Sequence, residues 1–239
     1  MKFAVFDIDG TIFRWQLYHE LFDAFVDEQI IATSTARTVI EAREAWRQRK
    51  QSYDAYEHAL IDAMEKVIEG LDTQRFDTIA DKILRAKGHH TYRYTLRLLG
   101  QLRQEGYKVI TISGSHQQLV DRFSKLHHID IAVGRRYEIE DGKLTARAET
   151  VFGNKHTILQ SLVRQHKLEW KDSYAIGDSG GDISMLELVD HPIAFNPNEE
   201  LHRKAEENGW TIVIERKNIA YRLEKGSDGL YVLAQTDTF

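Results

Sequence analysis

The 239-residue chain contains no cysteine and only two prolines. Without thiols it forms no disulfide, no thiolate nucleophile and no Cys-based zinc site. It also lacks a basic excess: 32 Lys and Arg stand against 37 Asp and Glu, a formal net charge of -5. That balance argues against a general nucleic-acid or membrane-surface binder, since both need basic patches. No apolar run approaches the roughly 18 residues of a membrane span. The apolar residues 2–6 are too few for a signal-peptide core and lead straight into acids, so a cytoplasmic protein is expected. What is present suffices for a core. Apolar residues make up 42% and charged residues 29%, as in one large α/β domain or a core with a smaller companion.

Residues 2–6 read as a short buried strand. From Phe13 to about Lys87 the pattern is helical, with Trp15, Tyr18, Phe22, Phe25 and Val26 forming one apolar stripe. Beyond "KGHH" strands and helices alternate. Thr91–Glu105 reads as a helix, Lys108–Ile112 as a strand and Gln117–Leu126 as a helix. "RRYEIEDGKLTARAE" reads as a hairpin turning at Asp141-Gly142. Lys155–His166 is a helix, Asp172–Ile176 a strand, and "PIAF" and "TIVI" further strands. Such alternation implies a parallel sheet covered on both faces. The helical block is therefore an insertion, giving a core of residues 1–11 and 90–239 and an inserted domain of residues 12–89. The last twenty residues are compatible with a hairpin or a loose tail.

Ligands of open parallel sheets gather beyond the carboxyl ends of strands. There the first strand delivers Asp7 and Asp9, and "KVITI" delivers Ser113, Gly114 and Ser115. The strand "SYAI" delivers Gly177, Asp178 and Asp182, and Lys155 opens a helix between the last two strands. Each type suits phosphoryl transfer. Mg2+ takes hard oxygen ligands, for which Asp7 and Asp178 are the natural donors. A carboxylate is also a nucleophile that forms an aspartyl-phosphate. Residues i and i+2 of an extended strand share a face, so Asp7 can attack while Asp9 protonates the leaving oxygen. Ser113 and the N–H groups near Gly114 suit phosphate oxygens, and Lys155 offsets negative charge.

"DIDGT", "ITISGS", the lysine of "GNKHTIL" and "GDSGGDISML" resemble the four ordered motifs of the haloacid dehalogenase (HAD) superfamily. The stretches "EDGKLTA" and "IAFNPNEELHRKAEENGW" narrow the resemblance to its phosphoserine phosphatase-like branch, HAD-IB. The resemblance covers residues 1–11 and about 90–215. It implies an α/β fold with a HAD-type Rossmann-like parallel sheet core and an inserted all-helical C1 cap. It makes Asp7 the nucleophile and Asp9 the acid–base group, with the main-chain carbonyl of Asp9 a metal ligand. Ser113 and Gly114 become phosphate-binding, Lys155 catalytic and phosphate-binding, Asp178 a metal ligand and Asp182 its supporting acid. The cofactor implied is Mg2+, and the partner a small-molecule phosphate ester met by a monomer or homodimer.

Phosphoserine phosphatases of this branch carry an acid after the first motif and a cap arginine, which hold the ammonium and carboxylate of serine. By ungapped count Gln16 stands at the acid's place, and "SYDAYEHALIDAM" offers no matching arginine. A glutamine cannot pair with an ammonium as a carboxylate does. A phosphatase for another ester is therefore expected. Phosphoserine phosphatase itself, or a phosphotransferase, is the alternative within the superfamily. A phospho-ligand binder or receiver-like signalling module is the alternative outside it. In the helical block Arg43, Arg47, Arg49 and Lys50 read as a solvated helix face.

Overall fold

The computed structural model describes residues 1–239, save the side chain of Asp54. The chain runs through β1 (Lys2–Phe6), α1 (Leu17–Asp27), α2 (Thr33–Arg47), α3 (Tyr53–Ile68), α4 (Thr73–Lys87) and α5 (Arg93–Gln104). Next come β2 (Lys108–His116), α6 (Gln117–Leu126), β3 (Ile131–Glu140), β4 (Lys143–Glu149), α7 (Lys155–Gln165) and β5 (Glu169–Gly177). A 3-10 turn at Gly180–Asp182 leads into α8 (Ile183–Leu186), β6 (His191–Phe195), α9 (Glu199–Asn208), β7 (Thr211–Arg216), β8 (Ile219–Lys225) and β9 (Tyr231–Thr238). Among the described residues no helix is long and apolar enough to cross a membrane.

The chain forms two compact units. The first comprises Met1–Gln16, Gly88–Arg135 and Thr150–Phe239. Its strands lie in the order β3-β2-β1-β5-β6-β7-β8-β9. They are parallel from β3 through β7, and β8 and β9 then add antiparallel. Phe3, Ala4, Val5 and Phe6 of β1 are fully buried, because a central parallel strand is covered on both faces. Phe3 and Val5 join Ile110, Ile112, Leu159, Ala175 and Ala194 in one apolar layer. The last twenty residues are β8 and β9, a hairpin and not a loose tail. Tyr231 ties it down, its hydroxyl lying 2.8 Å from Ala205 O and 2.7 Å from Trp210 O.

The second unit comprises Leu17–Lys87 and Arg136–Glu149. Helices α1 to α4 make up its first segment. The hairpin of β4 with the second half of β3 makes up the other. Asp141 and Gly142, with φ of 49° and 74°, form the two-residue turn between them. The expected helical block thus shares its unit with a hairpin that the sequence does not connect to it. Backbone bonds explain why. Gly70 N–H donates to Leu144 O at 2.8 Å, Leu144 N–H to Leu71 O at 2.9 Å and Thr73 N–H to Gly142 O at 2.9 Å. Leu144 and Tyr137 are buried. Arg43 is not on a solvated face: its side chain is mostly buried and paired with Asp23 at 2.7 and 3.0 Å.

Candidate active site

Every residue of the expected site lies in the first unit. Asp7 follows β1 directly, its N–H donating to Ile176 O of β5 at 2.9 Å. The chain then folds back tightly: Ile12 and Phe13 donate to Ile8 O, and Gly10 N–H reaches Phe13 O and Trp15 O. This compact loop fixes Asp9 two residues beyond Asp7. β2 departs from its ladder at the same edge. It advances from Ile112 to His116 while β3 advances only from Val133 to Arg135. Ser113 and Ser115 leave the regular pairing there, and Gly114 between them is exposed.

Two polar groupings result. In one, Lys155, the first residue of α7, donates to Asp7 Oδ1 at 2.6 Å and to Asp182 Oδ1 at 2.5 Å. Asp182 Oδ2 accepts the Asp178 and Ser179 N–H groups at 3.0 Å each and the Ser179 hydroxyl at 3.2 Å. Asp182 therefore both caps the turn after β5 and holds the lysine. Gly177 is required beside it, since a Cβ at Gly177 would lie 2.4 Å from Asp182 Cβ. In the other grouping, Ser113 Oγ and Ser115 Oγ both donate to Asp9 Oδ2, at 2.7 and 2.8 Å. Ser115 is a site residue that sequence reading left without a role. The i, i+2 rule puts Ser113 and Ser115 on one face of β2, where both hydroxyls reach Asp9.

The electrostatics show a shortage of positive charge. Asp7, Lys155 and Asp182 are buried. Burial pushes the Asp7 carboxyl up to about 8 against the pull of Lys155, and Asp182 and Asp9 push the same way. Burial, then Asp182 and Asp7, hold Asp178 well above the carboxylate range. Burial works against the charge of Lys155, but Asp182 and Asp7 outweigh it and raise its pKa. The ion pair at 2.6 Å is intact, so the upward push on Asp7 comes first from its burial and then from the carboxylates that share one lysine.

This donor set fits a small hard cation. Oxygens of Asp7, Asp178 and Asp182 lie within 4.8 Å of one another. Both oxygens of Asp182 already accept hydrogen bonds, which leaves Asp7 and Asp178 as the better ligands. Gly10 is shaped for the same purpose, since a Cβ there would lie 2.1 Å from Asp178 Oδ2.

The model of the haloacid dehalogenase-like hydrolase family matches residues 4–187. A phosphoserine phosphatase of Archaeoglobus fulgidus is 26% identical over 84% of this chain, which spans 54% of that protein's length. A phosphoserine phosphatase of Methanocaldococcus jannaschii is 24% identical over 91% of this chain and 94% of its own. Among solved structures, a phospho-aspartyl intermediate analogue of phosphoserine phosphatase shares the fold. Its TM-score is 0.62 at 21% identity, over 90% of this chain and 94% of that one. With its motifs in order at the strand ends, the chain belongs to the haloacid dehalogenase-like hydrolases, in their phosphoserine phosphatase-like branch.

Proposed function

We propose that this protein is a Mg2+-dependent phosphomonoester hydrolase that acts through an aspartyl-phosphate on a small phosphate ester other than phosphoserine. The observation that carries the reading is the buried Asp7–Lys155–Asp182 chain beside a separately held Asp9. Asp7 and Lys155 sit where a nucleophile and a charge-balancing cation are needed, and Asp9 sits two residues on, where a leaving-group acid is needed. Relatives named phosphoserine phosphatase support the phosphatase chemistry.

Asp7 attacks phosphorus, and the bond to the leaving oxygen breaks as that oxygen takes a proton from Asp9. Asp9, now ionised, accepts a proton from the water that cleaves the aspartyl-phosphate. Lys155 holds Asp7 in line and offsets the phosphate charge, while Asp182 holds Lys155. Ser113 and the N–H groups around Gly114 face the phosphate oxygens. Mg2+, held by Asp7 and Asp178, would supply further positive charge for the phosphoryl group. The second unit serves as the cap, which selects the ester and excludes water.

Two features support an ester other than phosphoserine. Gln16 replaces the acid that would meet an ammonium, and the part-buried Arg43 already pairs with Asp23. The test is free phosphate release from a broad panel of phosphate monoesters, with and without Mg2+, beside Asp7→Asn. Release that needs Mg2+ and disappears in Asp7→Asn is expected, with phosphoserine low in the ranking. Phosphoryl transfer to an added alcohol without free phosphate would favour a phosphotransferase. Efficient phosphoserine turnover would overturn the substrate assignment alone.

A further inference from the structure

Asp9 Oδ2 accepts two hydroxyl hydrogen bonds, from Ser113 at 2.7 Å and Ser115 at 2.8 Å. Ser115 N–H donates in turn to Ser113 Oγ at 3.0 Å. A serine hydroxyl has a single proton to donate, and a phosphate oxygen at neutral pH is chiefly an acceptor. Ser113 therefore cannot hold Asp9 and donate to phosphate at the same moment. The family role for Ser113 and the bond it makes here compete for one proton.

We infer that Ser115 is the positioning residue of Asp9, holding its Oδ2 while Ser113 turns its proton to the substrate phosphate. The inference rests on the phosphatase reading above. The division of labour is built into the backbone. β3 approaches Ser115 so closely that a Cβ at Gly134 would lie 2.8 Å from Ser115 O. Gln117 clamps the same junction, accepting from Gly134 N–H at 2.7 Å and donating to Ala132 O at 3.2 Å. Ser115 is 2% exposed, so its hydroxyl is shielded from bulk water as an alternative partner.

The arrangement also decides which oxygen carries the proton. With Ser113 turned to phosphate, Ser115 still occupies one lone pair of Oδ2, which favours Oδ1 as the oxygen that delivers the acid's proton. As the bond from Asp7 to phosphorus forms, the bond from phosphorus to the leaving oxygen breaks. The electron pair of that bond takes the Oδ1 proton, leaving a neutral alcohol and an Asp9 carboxylate. Once Ser113 has turned away, an Asp9 without Ser115 has neither hydroxyl to hold its Oδ2.

Leaving-group dependence tests this. An alkyl phosphate needs its departing oxygen protonated, whereas p-nitrophenolate leaves readily without help. The measured quantity is kcat/KM with Mg2+ for an alkyl phosphate from the panel and for p-nitrophenyl phosphate. It covers the steps through transfer to Asp7. Ser115→Ala should lose roughly tenfold or more on the alkyl ester and no more than about threefold on the aryl ester. Its inhibition constant for inorganic phosphate should stay within about twofold, whereas Ser113→Ala should weaken phosphate binding at least about fivefold. Ser115→Cys, similar in size with a weaker donor, should fall between, and it replaces the alanine variant if that one does not fold. Equal losses on both esters, or a loss confined to phosphate binding, would overturn the assignment of Ser115. Asp9→Asn separates the two levels. If it shows the same ester discrimination, the acid role of Asp9 stands and the serine variants judge Ser115 alone. If it hydrolyses the alkyl ester at the unsubstituted rate, the acid role and this inference fall together.

Discussion

Gly10 has φ of +80°, and a Cβ built there would lie 2.1 Å from Asp178 Oδ2. Gly10→Ala therefore meets two obstacles at once. The left-handed backbone costs an alanine roughly 1 kcal/mol. More seriously, Asp178 must swing away from the carboxylate of Asp7. A displacement of about 1 Å in such a site commonly costs about a hundredfold in rate, and that loss is expected in kcat for phosphate release. The melting temperature should fall by only a few degrees, which separates misplacement from unfolding. Asp178 also carries a prediction about the metal. Burial and neighbouring acids disfavour its charged form, so without metal Asp178→Asn should melt at or above the unsubstituted chain. With Mg2+ at about a hundred times its Kd the order should reverse. The unsubstituted chain then gains about 2.7 kcal/mol that the variant does not. Thermal melts in chelator and in Mg2+ check both halves.

At the scale of elements, α5 has no side-chain cap of its own, since Tyr92 at its N-cap makes no capping bond. Glu215 of β7 serves instead, across the fold. Its carboxylate accepts from Arg93 N–H at 3.2 Å and Tyr94 N–H at 2.8 Å, and Asn196 Oδ1 accepts its own N–H at 2.8 Å. A negative charge at a helix N-terminus is favourable, and an uncapped buried N–H is costly. Glu215→Ala should lose about 2 kcal/mol in denaturant unfolding, and Glu215→Gln about half of that, because it keeps one acceptor. No local pattern reveals this cap, because its partners lie more than a hundred residues apart. The Asp141-Gly142 turn is the opposite case: two residues that tolerate positive φ between alternating strands identify it locally. The attachment of that hairpin to Gly70–Thr73 is again a long-range matter of backbone bonds, which composition does not encode.

For the molecule as a whole, the sequence was most informative where chemistry constrains residue type. Asp7, Asp9, Ser113, Lys155, Asp178 and Asp182 come together in the first unit because each ends a parallel strand or opens the following turn or helix. Contacts made by burial alone were less legible. Arg43 looked like part of a charged surface and is instead half of a part-buried ion pair. His19 carries no local signal in sequence, and His116 stands out only for following "ITISGS" directly, yet both are fully buried, one in each unit. Burial pushes His19 down to about 3, with Arg43 adding to it, and Tyr56 Oη lies 3.2 Å from its Nδ1. Burial, aided by Arg135, likewise pushes His116 down to about 3. An unfolded histidine titrates near 6.5, so below that pH the unfolded chain binds protons that the folded chain refuses. The stability these residues permit is complete above pH 6.5 and drains away as the pH falls toward 3. By pH 5 the loss is about 2 kcal/mol for each histidine. Asp7 and Asp178, raised above the carboxylate range, hold protons that the unfolded chain releases and so oppose this loss in the unsubstituted chain. Relative to the unsubstituted chain, the unfolding free energies of His19→Gln and His116→Gln should therefore each rise by about 1.4 kcal/mol per pH unit as the pH falls below 6.5. The slope is the diagnostic, because a substitution that merely loosens packing lowers stability equally at every pH.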